Sequence, residues 1–525
     1  MNIMESRDAM LGLSRELKYY DESLSWLPEY EFTKEELYFR DPVWGTYRIT
    51  RPEQQTTDHY DNIWWDLAKN PLVQRAMAVE QLSLPVPYTT IPNTGRFSRW
   101  EHVWGSMLFV RQMLEASGRP INDREAIILQ LRTFVSDLGH TAFSHLGDWI
   151  SQGKGGAEDQ HDVELPQILE ATGVNDILRN YGISPQEVIF PEGIQDFVER
   201  DGPALNTDRT DYAMREIGRW QTTFHNVWAL ARPDTFRVDE ADDIVMKNFA
   251  TAMTFFKGYS LLPTEHWAEP VHRLQLHLLE ELVKHVLLRH PLPSVTPLTS
   301  KLHPRDLLYA VDSDIMLSIN LHDDTLQLLN RIMTALGTEQ RDLFTKYRKS
   351  ELAMFMGAGH GSHDHRVYDE SLYVPQLQVK GVGAALRWPH TIEIIPVATA
   401  AEVSDFDTNT RTLHVYLPPL KSRHIDPHYY DAQGLKRRLS EQVVYHQILQ
   451  GQTQLMQQAY VARVHMAPTA RSLLRDSFAR NHSDWASASE RPRLLTTDPE
   501  AFARLIAQTA LTNHHTLLGH MHIRL

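Results

Sequence analysis

Apolar positions recur every three or four residues from about Tyr60 to Leu352 and alternate with polar ones only later, so helices are expected first and strands afterwards. Four segments carry the helical period most clearly. RWEHVWGSMLFVRQMLEA begins at Arg99. NDREAIILQLRTFVSDLG follows, with Asn122 or Asp123 as its cap, Ile127, Leu131 and Phe134 on one face, and Gly139 able to stop it. A third helix is expected to open after Thr207 and run through DRTDYAMREIGRW, and VHRLQLHLLEELVKHVLL supplies a fourth with a wide apolar face. The glycine-rich MGAGHGSHDHR reads as a loop or junction. Beyond it, TIEIIPVATA and RTLHVYLPPL alternate as strands do, and GLKRRLSEQVVYHQILQ reads as a helix. A last helix is expected in the tail, with Asp498 as N-cap and Pro499 at its first position. No internal repeat or heptad array interrupts this order.

Composition narrows the chemistry. A chain of 525 residues with 42% apolar and 23% charged residues is an ordinary globular composition, and no stretch approaches the ~18 apolar residues of a membrane span. The opening MNIMESRDAMLGLSRELKYY lacks an apolar signal region, so the cytoplasm is the expected address and no membrane partner is expected. There are no cysteines, which leaves His, Asp and Glu to hold any metal. A formal charge of -15 does not indicate a broad nucleic-acid footprint, although a local basic pocket for a phosphorylated small molecule is compatible with it.

Four short segments hold the groups a metallophosphohydrolase needs. In RFSRWEHVWGS, Arg99 and His102 stand one helical turn apart and share a face. SDLGHTAFSHLGD supplies Asp137, His140, His145 and Asp148. His161 follows with Asp162. In TDRTDYAMRE, Asp208, Tyr212 and Glu216 recur at four-residue spacing, with Arg209 beside Asp208, so one helix face could meet metal and ligand together. The histidines of MGAGHGSHDHR and the pairs His514, His515 and His520, His522 read as solvated surface residues.

SDLGHTAFSH resembles the HDxGHxPFSH segment of the deoxynucleoside triphosphate triphosphohydrolases within the HD superfamily, the group containing bacterial dGTPases and the SAM-and-HD-domain dNTPase. RDPVWGTYRI with NPLVQRAMAVEQL is similar to the DPVHG and FQRLRxIxQL segments of that family, and TDRTDYAMRE to its DxxDYxxRD. LLYAVDSDIMLSI and SRHIDPHYYDAQGLKRRLSE match weaker patterns, in the same order and spacing. The resemblance implies a mainly α protein, an HD-domain helical core with a smaller mixed α/β C-terminal lobe. It implies an N-terminal segment (1–98) packing on that core, the core and active site in 99–232, a helical lobe in 233–372 and the mixed lobe in 373–525.

The resemblance also implies a divalent metal, Mn, Fe, Zn, Ni or Mg, bound in the order His, His-Asp, Asp. His102, Asp137 and Asp208 take three of those places. Ser136 stands at the fourth, where a histidine is expected, and a neutral hydroxyl is a poor donor to a transition metal. By the same resemblance His145 with Asp148 positions the attacking water, and His140 or His161 protonates the leaving oxygen. Arg99 and Arg209 hold phosphate oxygens, while Gln81, Leu82, Tyr212 and Glu216 address the sugar. The implied reaction is hydrolysis of a deoxynucleoside triphosphate, carried in with Mg, to deoxynucleoside and tripolyphosphate by a homo-oligomer. The alternatives are an HD-family phosphohydrolase for another nucleotide or nucleoside phosphate, and a catalytically impaired nucleotide-binding regulator.

Overall fold

The computed structural model describes residues 29–32, 36–50, 60–84, 97–152, 160–189, 197–198, 202–220, 230–232, 234–263, 267, 269–290, 312, 315–316, 323–334, 336, 377–379, 390–397, 411–420, 424–488 and 494–518. The MGAGHGSHDHR segment lies outside them. The described chain is mainly α, with small sheets and a mixed C-terminal lobe.

The helix α2 (Arg99–Ala116) is the axis of the core, after α1 (Asp61–Lys69). Its Ser98 cap accepts a hydrogen bond from the Glu101 amide, and nearly every side chain along it is buried. A helix buried on nearly all sides must be surrounded, and its buried Arg99, Glu101 and His102 must find partners inside. Trp100 and Trp104 pack together with Phe39, and Trp104 meets Phe134 edge-on at 4.9 Å. Phe134 belongs to α3 (Arg124–Val135), whose cap is Asp123, accepting from the Ala126 amide. The expected continuation of α3 to Gly139 tightens into a 3₁₀ turn, Ser136–Gly139. Next come α4 (His145–Gln152), α5 (Gln160–Ala171), which runs through Pro166, and α6 (Thr207–Trp220).

Helical periodicity gave no sign of the antiparallel sheet of β1 (Glu29–Phe32), β2 (Glu36–Asp41) and β3 (Gly45–Thr50). The DPVWG residues form the tight turn between β2 and β3. Asp41 Oδ1 accepts from the amides of Val43 and Trp44, and Gly45 turns the chain at φ 102°.

The later helices are α7 (Phe249–Leu262) and α8 (Pro270–Arg289). Before them, β4 (Phe236–Val238) and β5 (Ile244–Met246) form a hairpin, and β5 pairs in parallel with β9 (His428–Tyr430), which pairs with β10 (Lys436–Arg438). Strands from both sides of the glycine-rich segment therefore share one sheet. A second sheet has the order β6 (Leu377–Val379), β7 (His390–Val397), β11 (Ala459–His465), β8 (Thr412–Leu417).

The helix expected from Gly434 onward begins later, as α9 (Val443–Met456). Asp431 accepts from the Gln433 and Leu435 amides and Gly434 takes φ 75°, so DAQG closes a hairpin and its Lys436–Arg438 arm is drawn into a strand. α10 (Pro468–Ala488) and α11 (Pro499–Leu518) end the described chain, with Asp498 capping α11 through the Ala501 amide as expected. Among the described residues no helix is long and apolar enough to cross a membrane.

Candidate active site

His102 points from the first turn of α2 at α6, and its two ring nitrogens are used differently. Nδ1 lies 2.7 Å from Asp211 Oδ2, whereas Nε2 lies 2.8 Å from Asp208 Oδ1 and 3.0 Å from Asp137 Oδ2. Asp211 accepts a hydrogen bond from Nδ1 and leaves Nε2 facing the carboxylates of Asp137 and Asp208, the arrangement by which a carboxylate fixes a metal-ligating imidazole. Donors ~2.1 Å from a divalent ion stand roughly 3.0–3.4 Å apart, and the imidazole nitrogen stands just below and at the lower edge of that range from the two carboxylate oxygens, all three atoms lying within 4.8 Å of one another. The three groups can hold a divalent cation. Burial disfavours a charged imidazole here, but Asp137, Asp208 and Asp211 outweigh it and raise His102 well above its ordinary pKa.

Beneath His102 lies a charged floor with no access to water. Arg215, one turn after Asp211, donates to Asp211, to Glu101 at 2.9 Å and to Asp41 at 2.6 Å, and the side chains of all four are 0% exposed. The Trp44 indole also donates to Asp211. The guanidinium occupies the space left by Gly105 in the middle of α2, where a Cβ would stand 1.5 Å from Arg215 Nη2. The DPVWG turn thus reaches the site through Asp41 and Trp44, and α2 does so through Glu101. Asp41, Glu101, Asp211 and Arg215 escaped sequence reasoning, although Asp211 stands three residues after Asp208 in the same segment.

A second cluster adjoins the first across Asp137. His140 Nε2 is 3.3 Å from Asp137 Oδ1, the His140 ring stacks on His161 at 3.6 Å, and His145 meets His140 edge-on at 4.9 Å. The approach of α5 needs Gly139, because a Cβ there would lie 2.9 Å from the His161 carbonyl oxygen. Burial, followed by Arg99 and His161, holds His140 well below its ordinary pKa despite Asp137. Asp148 is placed on α4, one turn from His145, but its side chain lies outside the described residues.

The loop carrying this cluster is strained. Phe143 and Ser144 both take positive φ, 59° and 53°, a costly conformation for consecutive non-glycine residues. Asp312 holds it: one carboxylate oxygen accepts from the Phe143 amide at 2.7 Å, the other from the Glu80 amide at 2.8 Å. Asp312 lies in LLYAVDSDIMLSI, a segment matched as a pattern but not as a site.

Arg99 donates from Nη1 to Asp137 Oδ2 at 2.5 Å and from Nε to the Ser144 hydroxyl at 2.9 Å, leaving Nη2 buried without a partner. Arg209, next to Asp208 on α6, donates to the Gly202 and Ala204 carbonyls. Tyr212 faces His102 and Trp267, with ring centroids 6.4 and 6.1 Å away, and Glu216 accepts from the Trp267 indole at 3.0 Å. Gln81 is buried beside Phe97 and its Oε1 has no partner; Leu82 packs on the core edge next to it. Ser136 turns its hydroxyl back to the Thr133 carbonyl at 3.2 Å.

No family model matches the chain. Over 162 residues, 31% of this chain and 45% of the relative, it is 28% identical to the uncharacterized protein YdhJ of Bacillus subtilis (strain 168). Over 187 residues, 34% of this chain and 49% of the relative, it is 27% identical to the metal-dependent phosphohydrolase cns2 of Cordyceps militaris. The chain thus spans about half the length of the curated relatives it matches. Two solved structures are similar. A phosphohydrolase from Bacteroides thetaiotaomicron VPI-5482 aligns at TM-score 0.49 and 12% identity, covering 82% of this chain and 100% of that one. A hypothetical protein from Aquifex aeolicus aligns at TM-score 0.47 and 13% identity, covering 84% and 98%.

Proposed function

We propose that this chain is a metal-dependent phosphohydrolase and, more narrowly, that it cleaves deoxynucleoside triphosphates to deoxynucleoside and tripolyphosphate. The observation that carries the reading is His102, with Nδ1 fixed by Asp211 and Nε2 presented between Asp137 and Asp208, beside the His140, His145 and His161 cluster. The likeness to a relative named as a metal-dependent phosphohydrolase supports its coarser half.

A divalent cation held by His102, Asp137 and Asp208 supplies charge neutralisation at the phosphate and a more acidic attacking water. The chain's own groups do the rest. His145, with Asp148, receives the proton of the water that forms the new bond to the α-phosphorus. Breaking the bond from that phosphorus to the 5'-oxygen requires a proton on the oxygen. Burial and Arg99 disfavour the charged imidazolium at His140, so the delivery is assigned to His161, stacked upon it. Arg99 offers its unpartnered Nη2 to a phosphate oxygen, and Arg209 acts beside Asp208. The open Oε1 of Gln81 suits a sugar hydroxyl, with Leu82, Tyr212 and Glu216 forming the rest of the sugar pocket.

One observation favours a second reading. The Ser136 hydroxyl is engaged by its own helix and Arg99 already occupies the Asp137 oxygen that faces His102, which suits a nucleotide-binding regulator with a weakened metal site. Incubation with each dNTP plus Mg²⁺ or Mn²⁺, followed by chromatography, separates the readings. Deoxynucleoside with intact tripolyphosphate is the expected product pair. Pyrophosphate or orthophosphate as first product rejects cleavage of the bond between the α-phosphorus and the 5'-oxygen, turnover of a monophosphate alone moves the reading to another phosphohydrolase, and binding without turnover selects the regulator.

A further inference from the structure

Apart from this site, three elements meet around a second group of metal-binding side chains. α8 ends in KHVLLRH, where His285 lies inside the last turns and His290 is the residue at which the helix stops. Five residues apart on a continuing helix these imidazoles would diverge. They do not, because His290 takes an extended backbone, φ -120° and ψ 134°, and its ring lies 5.8 Å from that of His285. Both aim Nε2 at one oxygen: Asp323 Oδ2 is 3.0 Å from His285 and 3.1 Å from His290.

Asp323 is itself held. Its other oxygen, Oδ1, caps the helical residues 324–334 by accepting from the Leu326 amide at 3.0 Å, so Oδ2 is the oxygen turned to the imidazoles. His285 Nδ1 lies 3.0 Å from the hydroxyl of Ser477, a fully buried residue of α10. A serine hydroxyl either donates or accepts, so it supports the tautomer with Nε2 deprotonated by accepting the Nδ1 proton.

We propose that His285, His290 and Asp323 form a second divalent-metal site, separate from the catalytic one, and that its ion is zinc. Two imidazole nitrogens and one monodentate carboxylate oxygen are a borderline donor set suited to Zn²⁺ rather than to Mg²⁺ or Ca²⁺, which demand more oxygen. Both nitrogen-to-oxygen distances already match the ~3.0–3.4 Å spacing of donors around such an ion, and the three ligand atoms lie within 4.8 Å of one another. His290 and Asp323 are partly exposed, which gives the ion an entry and leaves room for a water as fourth donor. Bound there, zinc clips the end of α8 to the start of the 324–334 helix over α10. The role is a structural staple, and it does not depend on the reaction assigned to the first site.

The test compares the parent with His290→Ala and Asp323→Asn, each stripped with chelator, reloaded with Zn²⁺ and dialysed before metal analysis. His290 is a helix-end residue, so its replacement spares the core. The expected result is loss of one zinc equivalent in each variant, with affinity at this site falling by more than the ~10–100-fold that removal of an outer partner costs. Ser477→Ala should fall within that range. Cobalt gives an independent readout: the parent shows the visible bands of four-coordinate Co²⁺, and His290→Ala loses them while Mn²⁺ binding at the first site is unchanged. Equal zinc stoichiometry and equal cobalt spectra in parent and variants overturn the proposal, whatever the catalytic site does.

Discussion

His102 and His140 are equally buried, each 2% exposed, and share a single carboxylate, yet they are driven in opposite directions. Burial alone would hold both neutral. His102 adds Asp208 and Asp211 to its share of Asp137 and is raised; His140 adds Arg99 and His161 and is lowered. The first imidazole lies among carboxylates that favour positive charge, where a bound cation would take the place of its Nε2 proton. The second has its charge refused and is left to shape hydrogen bonds with the groups around it. Asp137 lies at the border, held well below the usual carboxylate range by Arg99, His102 and His140 against the effect of burial.

The largest effect is expected where the cation-seeking half is anchored. Arg215→Met leaves Asp41, Glu101 and Asp211 in the interior without their common partner, and breaking a buried pair costs ~3–5 kcal/mol. Denaturant unfolding measures it. Adding Asp41→Asn to that variant should return part of the loss, and a single variant within about 1 kcal/mol of the parent would show that the floor does not depend on its arginine.

Next in size is the tautomer. Asp211→Asn keeps the shape but can offer an amide N–H to Nδ1, which moves the proton to Nε2 and turns a ligand atom into a donor. Divalent-metal affinity should fall ~10–100-fold with little change in the ligands themselves. Calorimetric titration decides it, and unaltered affinity would mean that Asp211 does not set the tautomer. On the other half, His140→Gln should lower kcat by roughly 10²-fold with KM little changed, because a neutral positioning group is lost rather than a phosphate grip.

A smaller gain is expected from Ser136→His. The hydroxyl of Ser136 now returns to Thr133, and an imidazole reaching the Asp137 side would add a neutral nitrogen to an acid-rich set, tightening metal binding about tenfold. Equal affinity in both proteins would show that position 136 does not face the ion.

What could be read in the sequence was what is local. Asp123 and Asp498 announce their helices because a cap acts within three residues, and α2 spans the residues that its pattern marks. The SDLGHTAFSHLGD and TDRTDYAMRE segments named Asp137, His140, His145 and Asp208, which do converge, since short separations within a segment limit how far its groups can part. The anchoring floor was hidden because Arg215 meets Asp41 across 174 residues and Glu101 across 114, and nothing in the spacing of isolated acids links them. The strand Lys436–Arg438 was hidden for a related reason. Its helix-forming composition is overruled by a turn at Asp431 and by pairing with β9.

A third histidine tests the same rule where no catalysis interferes. His428, on β9, is buried: Arg438 donates to its Nε2 at 3.2 Å, Asp243 lies 3.7 Å from its Nδ1, and Lys436, paired with Asp239 and Asp243, stands near it with Asp426. Burial first, then the two cations, push it down to about 4 against the pull of Asp426 and Asp239. A histidine lowered on folding is neutral in the native chain while the unfolded chain, titrating at ~6.5, takes up a proton. The unfolded state therefore binds more protons between about pH 6.5 and 4, and stability must fall as pH drops through that window and stay flat above it. For this one group the loss is on the order of 1 kcal/mol between about pH 7 and 5.5. Replacing His428 with Leu removes the proton uptake, so the difference in unfolding free energy between variant and parent should shift by that amount in the variant's favour over the same interval. Because the comparison is of differences, other titrating groups cancel. A constant difference across the window would mean that His428 titrates alike in both states, and that Lys436 and Arg438 do not act on it as Arg99 acts on His140.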